Sequence, residues 1–340
     1  MSYPFRNLVF EGGGVKGIAY VGALRELGKK KILPDIERVG GASAGAINAV
    51  LLALGYSLPE MERILSTLDF KSFMDDTWGV VRDTKRLIKK YGWYKGDFFR
   101  EWIGDLIQKK TGNRYSTFND LHKGGSLDLY VVGVNLSTGF AEVFSNEHTP
   151  RERVADAVRV SMSIPLFFAA IRDDRGDVFV DGGLLANYPV KLFDREKYID
   201  QPGRKAYARQ TDYYEADNKL KPESSSPYVY NKQTLGFRLD SRQEIAMFRD
   251  GAEPPHRQID HFFGYTVALF EGIWNAQNNE HLHNDDWHRT IYIDTIGVNT
   301  TDFDLSDAKK KALVQEGVKG VREYFAWYDK NDPNDAPINR

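Results

Sequence analysis

"VFEGGGVKGIAYVGAL", residues 9–24, breaks off an apolar run into three glycines, a lysine and a fourth glycine, then resumes with apolar residues. Residues 7–10 ("NLVF") read as a buried strand. After the loop, Ile18, Val21, Leu24 and Leu27 recur at helical spacing. A strand that breaks into glycines and then a helix leaves free backbone N–H groups converging near a helix N-terminus, which is a place for an anion. Three ligands compete for it: a dinucleotide, a phosphate, or the oxygen of a reacting ester. Gly12, Gly14 and Gly17 satisfy G-x-G-x-x-G. The dinucleotide fold also needs an acid at the end of its second strand. Here Asp35 and Glu37 fall at the start of that strand, which runs from "IERV" (36–39) into Gly40 and Gly41. The phosphate-loop pattern G-x-x-x-x-G-K-[ST] is not met. A tight turn with no ligand also fits the loop taken alone.

Working outward, Gly41-Ala42-Ser43-Ala44-Gly45 is a G-x-S-x-G between a strand and a helix that ends near Gly55. That is the context of a nucleophile elbow: small residues let the chain turn sharply and lift the serine hydroxyl above the sheet. Such a serine needs a base. Asp181-Gly182-Gly183 closes the strand "DVFVDGG" (177–183), so Asp181 sits at a strand's carboxyl end, where sites of parallel α/β sheets gather. Strand-end Asp-Gly is also a common turn, and its weight comes from the company it keeps.

The rest of the chain alternates strand and helix, so the class is α/β with a largely parallel sheet. Ser57, Pro59 and Glu60 form a capping box, and Thr149 with Glu152 forms a second, opening a helix that must end before Pro165. Asp97 caps a helix that Gly112 stops. Residues 127–145 read as two strands about a Ser137-Thr138-Gly139 turn, and 234–239 and 290–295 as late strands. Ser306 opens a last helix to about Tyr328. Residues 200–233 are polar and tyrosine-rich and read as an insertion or mobile loop.

Glycine loop, serine elbow and Asp-Gly-Gly in this order resemble the patatin-like phospholipase family, whose pattern is G-G-G-x-[RK]-G, G-x-S-x-G and D-G-[GA]. The chain shows Gly12-Gly13-Gly14-Val15-Lys16-Gly17, then Gly41 to Gly45, then Asp181-Gly182-Gly183. "KGDFFREW" (95–102), "SMSIPLFF" (161–168), "DGGLLANYPV" (181–190) and "TLGFRLDS" (234–241) look like bacterial members. The resemblance implies a three-layer α/β/α fold over residues 1–330, with 331–340 a flexible tail. It implies a Ser–Asp dyad, Ser43 the nucleophile and Asp181 the base, with an oxyanion hole from the backbone of Gly13 and Gly14. Lys16 takes the family's basic position, for a phosphate or for fixing the loop. The substrate implied is a phospholipid or lysophospholipid, cleaved by a phospholipase A or lysophospholipase reaction. Tyr188 departs from the smaller residue often found there, which touches pocket shape.

Composition sets further bounds. Net charge is −2, which favours no nucleic-acid partner. With no cysteine, disulfides and thiolate metal sites are excluded; no other metal-ligand spacing is present, and no cofactor is expected. No apolar run is long enough to span a membrane. The first motif begins close to Met1, leaving no room for a cleavable signal peptide. The expectation is a cytoplasmic protein, peripheral at a membrane or exported without a cleaved signal. Trp78, Trp93, Tyr94, Phe98, Phe99 and Trp102 crowd one region, as core or as an interfacial surface, with Lys85, Arg86, Lys89, Lys90 and Lys95 beside them to favour anionic head groups. Neither an oligomer nor a protein activator is legible. Two other readings compete. One is an α/β-hydrolase triad, with His256, His261, His281, His283 or His288 as the base; only one strand and helix precede the elbow, fewer than that fold builds. The other is a lipid-binding protein without activity, for which Ser43 and Asp181 together have no use.

Overall fold

The computed structural model describes residues 3–68, 90–199, 201–241, 285–300 and 302–330, with single positions at 72, 253, 259, 264–266, 268, 269, 272, 273 and 276. Trp78, Lys85, Arg86, Lys89, His256, His261, His281, His283 and the tail 331–340 lie outside the described residues.

An eight-stranded sheet forms the centre. Its strands are β1 (Asn7–Phe10), β2 (Arg38–Ala42), β3 (Asp128–Asn135), β4 (Phe140–Ser145), β5 (Ile171–Arg172), β6 (Val178–Asp181), β7 (Thr234–Asp240) and β8 (Thr290–Asp294). β8, β7, β1, β2 and β3 lie side by side, all parallel. β4 and β6 run antiparallel to β3, and β5 runs antiparallel to β6. The helices that matter here are α1 (Ala19–Lys29), α2 (Ala44–Ala53), α3 (Asp97–Thr111), α4 (Val154–Ser161) and α5 (Asp307–Tyr328).

Strand alternation sorts β1 between two cores. Leu8 and Phe10 join the large core that holds the apolar faces of α1, α2, α4 and α5. Val9 faces the other side, where Phe193, Tyr198 and Leu192 from short helical turns pack with Tyr130. The fold is thus a three-layer α/β/α arrangement about a mostly parallel sheet.

Local signals held to different degrees. The Ser57 capping box forms. Ser306 caps α5 by accepting from Lys309 N–H. Gly112 stops α3 in the left-handed region, but the residue before that helix is Gly96, and Asp97 is its first residue instead of its cap. The Thr149 box does not form: the Thr149 hydroxyl turns back to Ser145 N–H, and α4 starts from Arg153 with no side-chain cap. The second strand is shifted: Gly40 and Gly41 lie within it, because β1 and β3 pair with it on both sides. Residues 201–231 hold short helical turns, a helix at Glu215–Leu220 and a two-stranded ladder. Buried Arg289 ties that stretch to the sheet through Asp194, which also takes the Tyr214 hydroxyl. Phe99 is buried, Trp93, Tyr94 and Trp102 are half-buried and Phe98 is exposed, so core and surface divide the aromatic cluster.

Candidate active site

β3 brings the two motif residues together. β4 occupies one edge of β3 from Tyr130 to Asn135. β2 pairs on the other edge as far as Ala42 opposite Val132. β6 then takes over that same edge from the opposite direction, with Asp181 opposite Gly133. The two strands meet end to end at neighbouring positions, about 3.4 Å apart along β3. Asp181 does sit at a strand's carboxyl end, but its strand is antiparallel to the parallel set, so it meets Ser43 head-on and not from an adjacent parallel strand.

Where one strand leaves and another begins, backbone groups lose their ladder partners and must find others. Residues 161–163 supply them. Ser161 Oγ accepts from Ser43 N–H at 2.9 Å and donates to Val132 O at 2.6 Å. Ser163 O accepts from Asp181 N–H at 2.9 Å. Met162 Sδ lies 3.6 Å from Ser43 Oγ, as a weak acceptor of its hydroxyl. Sequence reasoning picked out this stretch only as a family phrase; nothing in its spacing signals that it spans the junction.

Ser43 has φ 52° and ψ −127°, an unfavourable conformation for a residue with a side chain and the mark of an elbow. The turn is possible because Gly41 and Gly45 face each other: a Cβ on Gly41 would fall 2.6 Å from Gly45 C, and one on Gly45 2.3 Å from Phe10 O. Gly12 lies against the serine, its missing Cβ 3.0 Å from Ser43 Cβ, and Gly17 packs on Ala44. Gly182 is pressed on the backbone of Val132.

Ser43 and Asp181 each expose 1% of their surface, so the pair is desolvated. Burial pushes the Asp181 carboxyl up to about 7, against the opposing pull of the Gly183 N–H and the nearby Ser43 hydroxyl. Oδ1 takes Gly183 N–H at 2.7 Å. Oδ2 is buried and has no hydrogen bond among the described residues. The Asp181 carboxylate therefore keeps one oxygen uncommitted beside a serine whose hydroxyl is turned to a weak acceptor.

The glycine loop completes the site. Gly12 N–H donates to Asn187 O and Val15 N–H to Thr300 O. The N–H groups of Gly13 and Gly14, between them, have no acceptor among the described residues. They stand at the start of a short 3₁₀ turn, Gly14–Ile18, that runs on into α1. Lys16 folds back over this loop, with Cε 3.4 Å from where a Gly13 Cβ would be, and its charge acts on the buried Glu11 carboxylate. Tyr188 is buried against Gly236 and bonded to Thr290 at 2.7 Å.

The three described histidines are remote. His122 adjoins Asp128 at the start of β3, His148 follows β4 where it pairs with the start of β3, and His288 precedes β8. All three lie at the amino ends of the parallel strands, the end opposite Ser43. Among the described residues no group of three or more acidic or histidine side chains is placed to hold a metal ion, and no helix is long and apolar enough to cross a membrane.

Comparison with known proteins agrees with this architecture. The chain is 35% identical over 320 residues to the uncharacterized protein R571 of Acanthamoeba polyphaga mimivirus, covering 94% of this chain and 93% of that one. It is 31% identical over 212 residues to a cGAMP-activated phospholipase of Escherichia coli, covering 57% of this chain and 56% of that protein. Its fold is similar to the crystal structure of VipD from Legionella pneumophila, with a TM-score of 0.55 at 18% identity over 95% of this chain and 67% of that one. Residues 8–194, more than half the chain, match the model of the patatin-like phospholipase family. With strand, glycine loop, elbow and Asp-Gly-Gly in the places described, the chain belongs to the patatin-like phospholipase family of lipid-hydrolysing proteins.

Proposed function

We propose that this protein hydrolyses fatty-acyl esters of phospholipids or lysophospholipids through an acyl-serine, with Ser43 as nucleophile and Asp181 as its only base, in a single hydrolase domain over residues 1–330. The observation that carries the reading is the end-to-end meeting of β2 and β6, which brings Ser43 to a buried carboxylate whose Oδ2 has no hydrogen bond among the described residues, with the glycine loop packed on Ser43 through Gly12. Ser43 gives its proton to Asp181 Oδ2 and attacks the ester carbon. The carbonyl oxygen takes the electron pair and is held by Gly13 and Gly14 N–H, which contribute most where the charge develops. Asp181 passes the proton to the departing lysolipid or glycerol oxygen. Water then adds to the acyl carbon as Asp181 takes its proton; the bond to Ser43 Oγ breaks, Asp181 returns the proton to Oγ, and the fatty acid is released. A carboxyl at about 7 is half ionised near neutral pH, a far stronger base than an ordinary aspartate.

The rival triad makes the opposite prediction about histidine. An acid limb near pH 7 does not separate the two, since an imidazole titrates there as well. Single His→Ala variants at 256, 261, 281, 283 and 288, with folding checked by circular dichroism, do separate them. Each is expected to keep ester turnover within about tenfold, whereas loss of a triad imidazole costs about 10³-fold or more. A folded variant as inactive as one lacking Ser43 would make that histidine the base.

Lys16 places a half-buried cation against the glycine loop, and we read it as meeting a lipid phosphate. Lys16→Ala should lower kcat/KM on phospholipid by about tenfold, ~1.4 kcal/mol, relative to its effect on a neutral nitrophenyl ester. Equal loss on both would assign Lys16 to holding the loop.

A further inference from the structure

The glycine loop has no side chains between Glu11 and Val15 with which to hold itself. Its N–H groups can be fixed only by what surrounds them. On one side stands Asn187, in the segment that follows Asp181. Its main-chain oxygen takes Gly12 N–H at 3.0 Å, and its amide donates to Gly12 O at 3.3 Å and to Glu11 Oε1 at 3.1 Å. On the other side stands the end of β7. Leu239 N–H donates to Glu11 Oε2 at 2.7 Å, and Leu239 Cδ1 lies 2.6 Å from where a Gly13 Cβ would sit. Glu11 thus spends each oxygen on one flank of the loop.

We propose that Glu11 and Asn187 are positioning residues for the anion hole, clamping the glycine loop between the Asp181 segment and β7 so that Gly13 and Gly14 N–H stay aimed at the developing oxyanion. The proposal rests on the dyad reading above. Burying a carboxylate is unfavourable, and Glu11 is pushed up to about 7 by that burial, opposed chiefly by the buried Arg238 guanidinium, which is bonded to Asp240 at 2.9 Å. A leucine or methionine would fill the same space without that penalty, but neither could hold both donors. Asn187 stands six residues after Asp181, so the segment that carries the proposed base also holds the glycine loop.

The test uses the full chain and two variants. Glu11→Gln keeps shape, but its amide nitrogen must face either Asn187 Nδ2 or Leu239 N–H, both donors. Asn187→Ala removes the amide arm and leaves the main-chain acceptor. On a soluble nitrophenyl ester both should lose about 10- to 100-fold in kcat with KM within about threefold. An alkyl trifluoromethyl ketone supplies the discriminating readout. Ser43 Oγ adds to its carbonyl carbon, the π pair goes to oxygen and the serine proton to Asp181, so the adduct mimics the tetrahedral anion. Its Ki should rise by the factor that kcat/KM falls. A clamp that is merely a core contact would lower the melting temperature and leave kcat and Ki of the folded fraction unchanged. That result in either variant overturns the proposal, and Asn187→Ala decides it alone if Glu11→Gln does not fold. With a Ser43→Ala control inactive, unchanged kcat and Ki overturn only the clamp; an active control overturns the dyad and the clamp with it.

Discussion

Ser43→Ala is expected to lower ester hydrolysis by about 10³-fold or more while the protein folds as before. The fold is expected to survive because the serine's main-chain bond to Ser161 remains, and the one hydrogen bond the hydroxyl makes among the described residues is the weak one to Met162 Sδ at 3.6 Å. Alanine carries the same backbone strain at φ 52°, so none is newly introduced. Release of fatty acid from phospholipid vesicles and turnover of a nitrophenyl ester, with a circular dichroism spectrum, check this. Wild-type turnover by the folded variant would remove Ser43 from the chemistry.

Asp181→Asn is expected to lose about 10²- to 10⁴-fold, since an amide cannot accept the serine proton. It should also change stability, in a direction that exposes the function. The folded carboxyl titrates near 7 and an unfolded aspartate near 3.8. Between those values the folded state binds the extra proton, so Asp181's contribution to stability falls as pH rises through that window and is lowest above about 7. The variant has no charge to bury. Its melting temperature relative to wild type should therefore climb from pH 4 to pH 7 and level off beyond. A difference that is flat with pH would mean that Asp181 keeps an ordinary carboxyl pKa, and the base would lose its basicity.

Much of this site was legible because its parts are local. A glycine loop between strand and helix, a small-residue elbow and a strand-end Asp-Gly each declare themselves within a few residues. The capping boxes show the limit of the same logic: Ser57 obeys it, while Thr149 is drawn to Ser145 by the end of a hairpin. What sequence could not give was the junction. That β6 runs against the sheet and takes over β2's edge of β3 is a matter of pairing between residues about 50 and 90 positions apart, which no local pattern encodes. The supporting residues follow from it: Ser161, Met162 and Ser163 matter because two strands end beside them, and Glu11 and Asn187 because the loop they hold lies between distant segments. Tyr188, read as a pocket residue, lies in the core because its ring fills the space over Gly236.

The central claim is that Ser43 is acylated with Asp181 as its base, and covalent trapping tests it most directly. Wild type and Asp181→Asn would be treated with an alkyl fluorophosphonate, quenched over a time course, digested, and mapped by mass spectrometry. One adduct is expected, on the peptide carrying Ser43, forming at least about 10²-fold more slowly in Asp181→Asn. An adduct on another residue with Ser43 unmodified, or labelling of Ser43 at the same rate in both proteins, would contradict it.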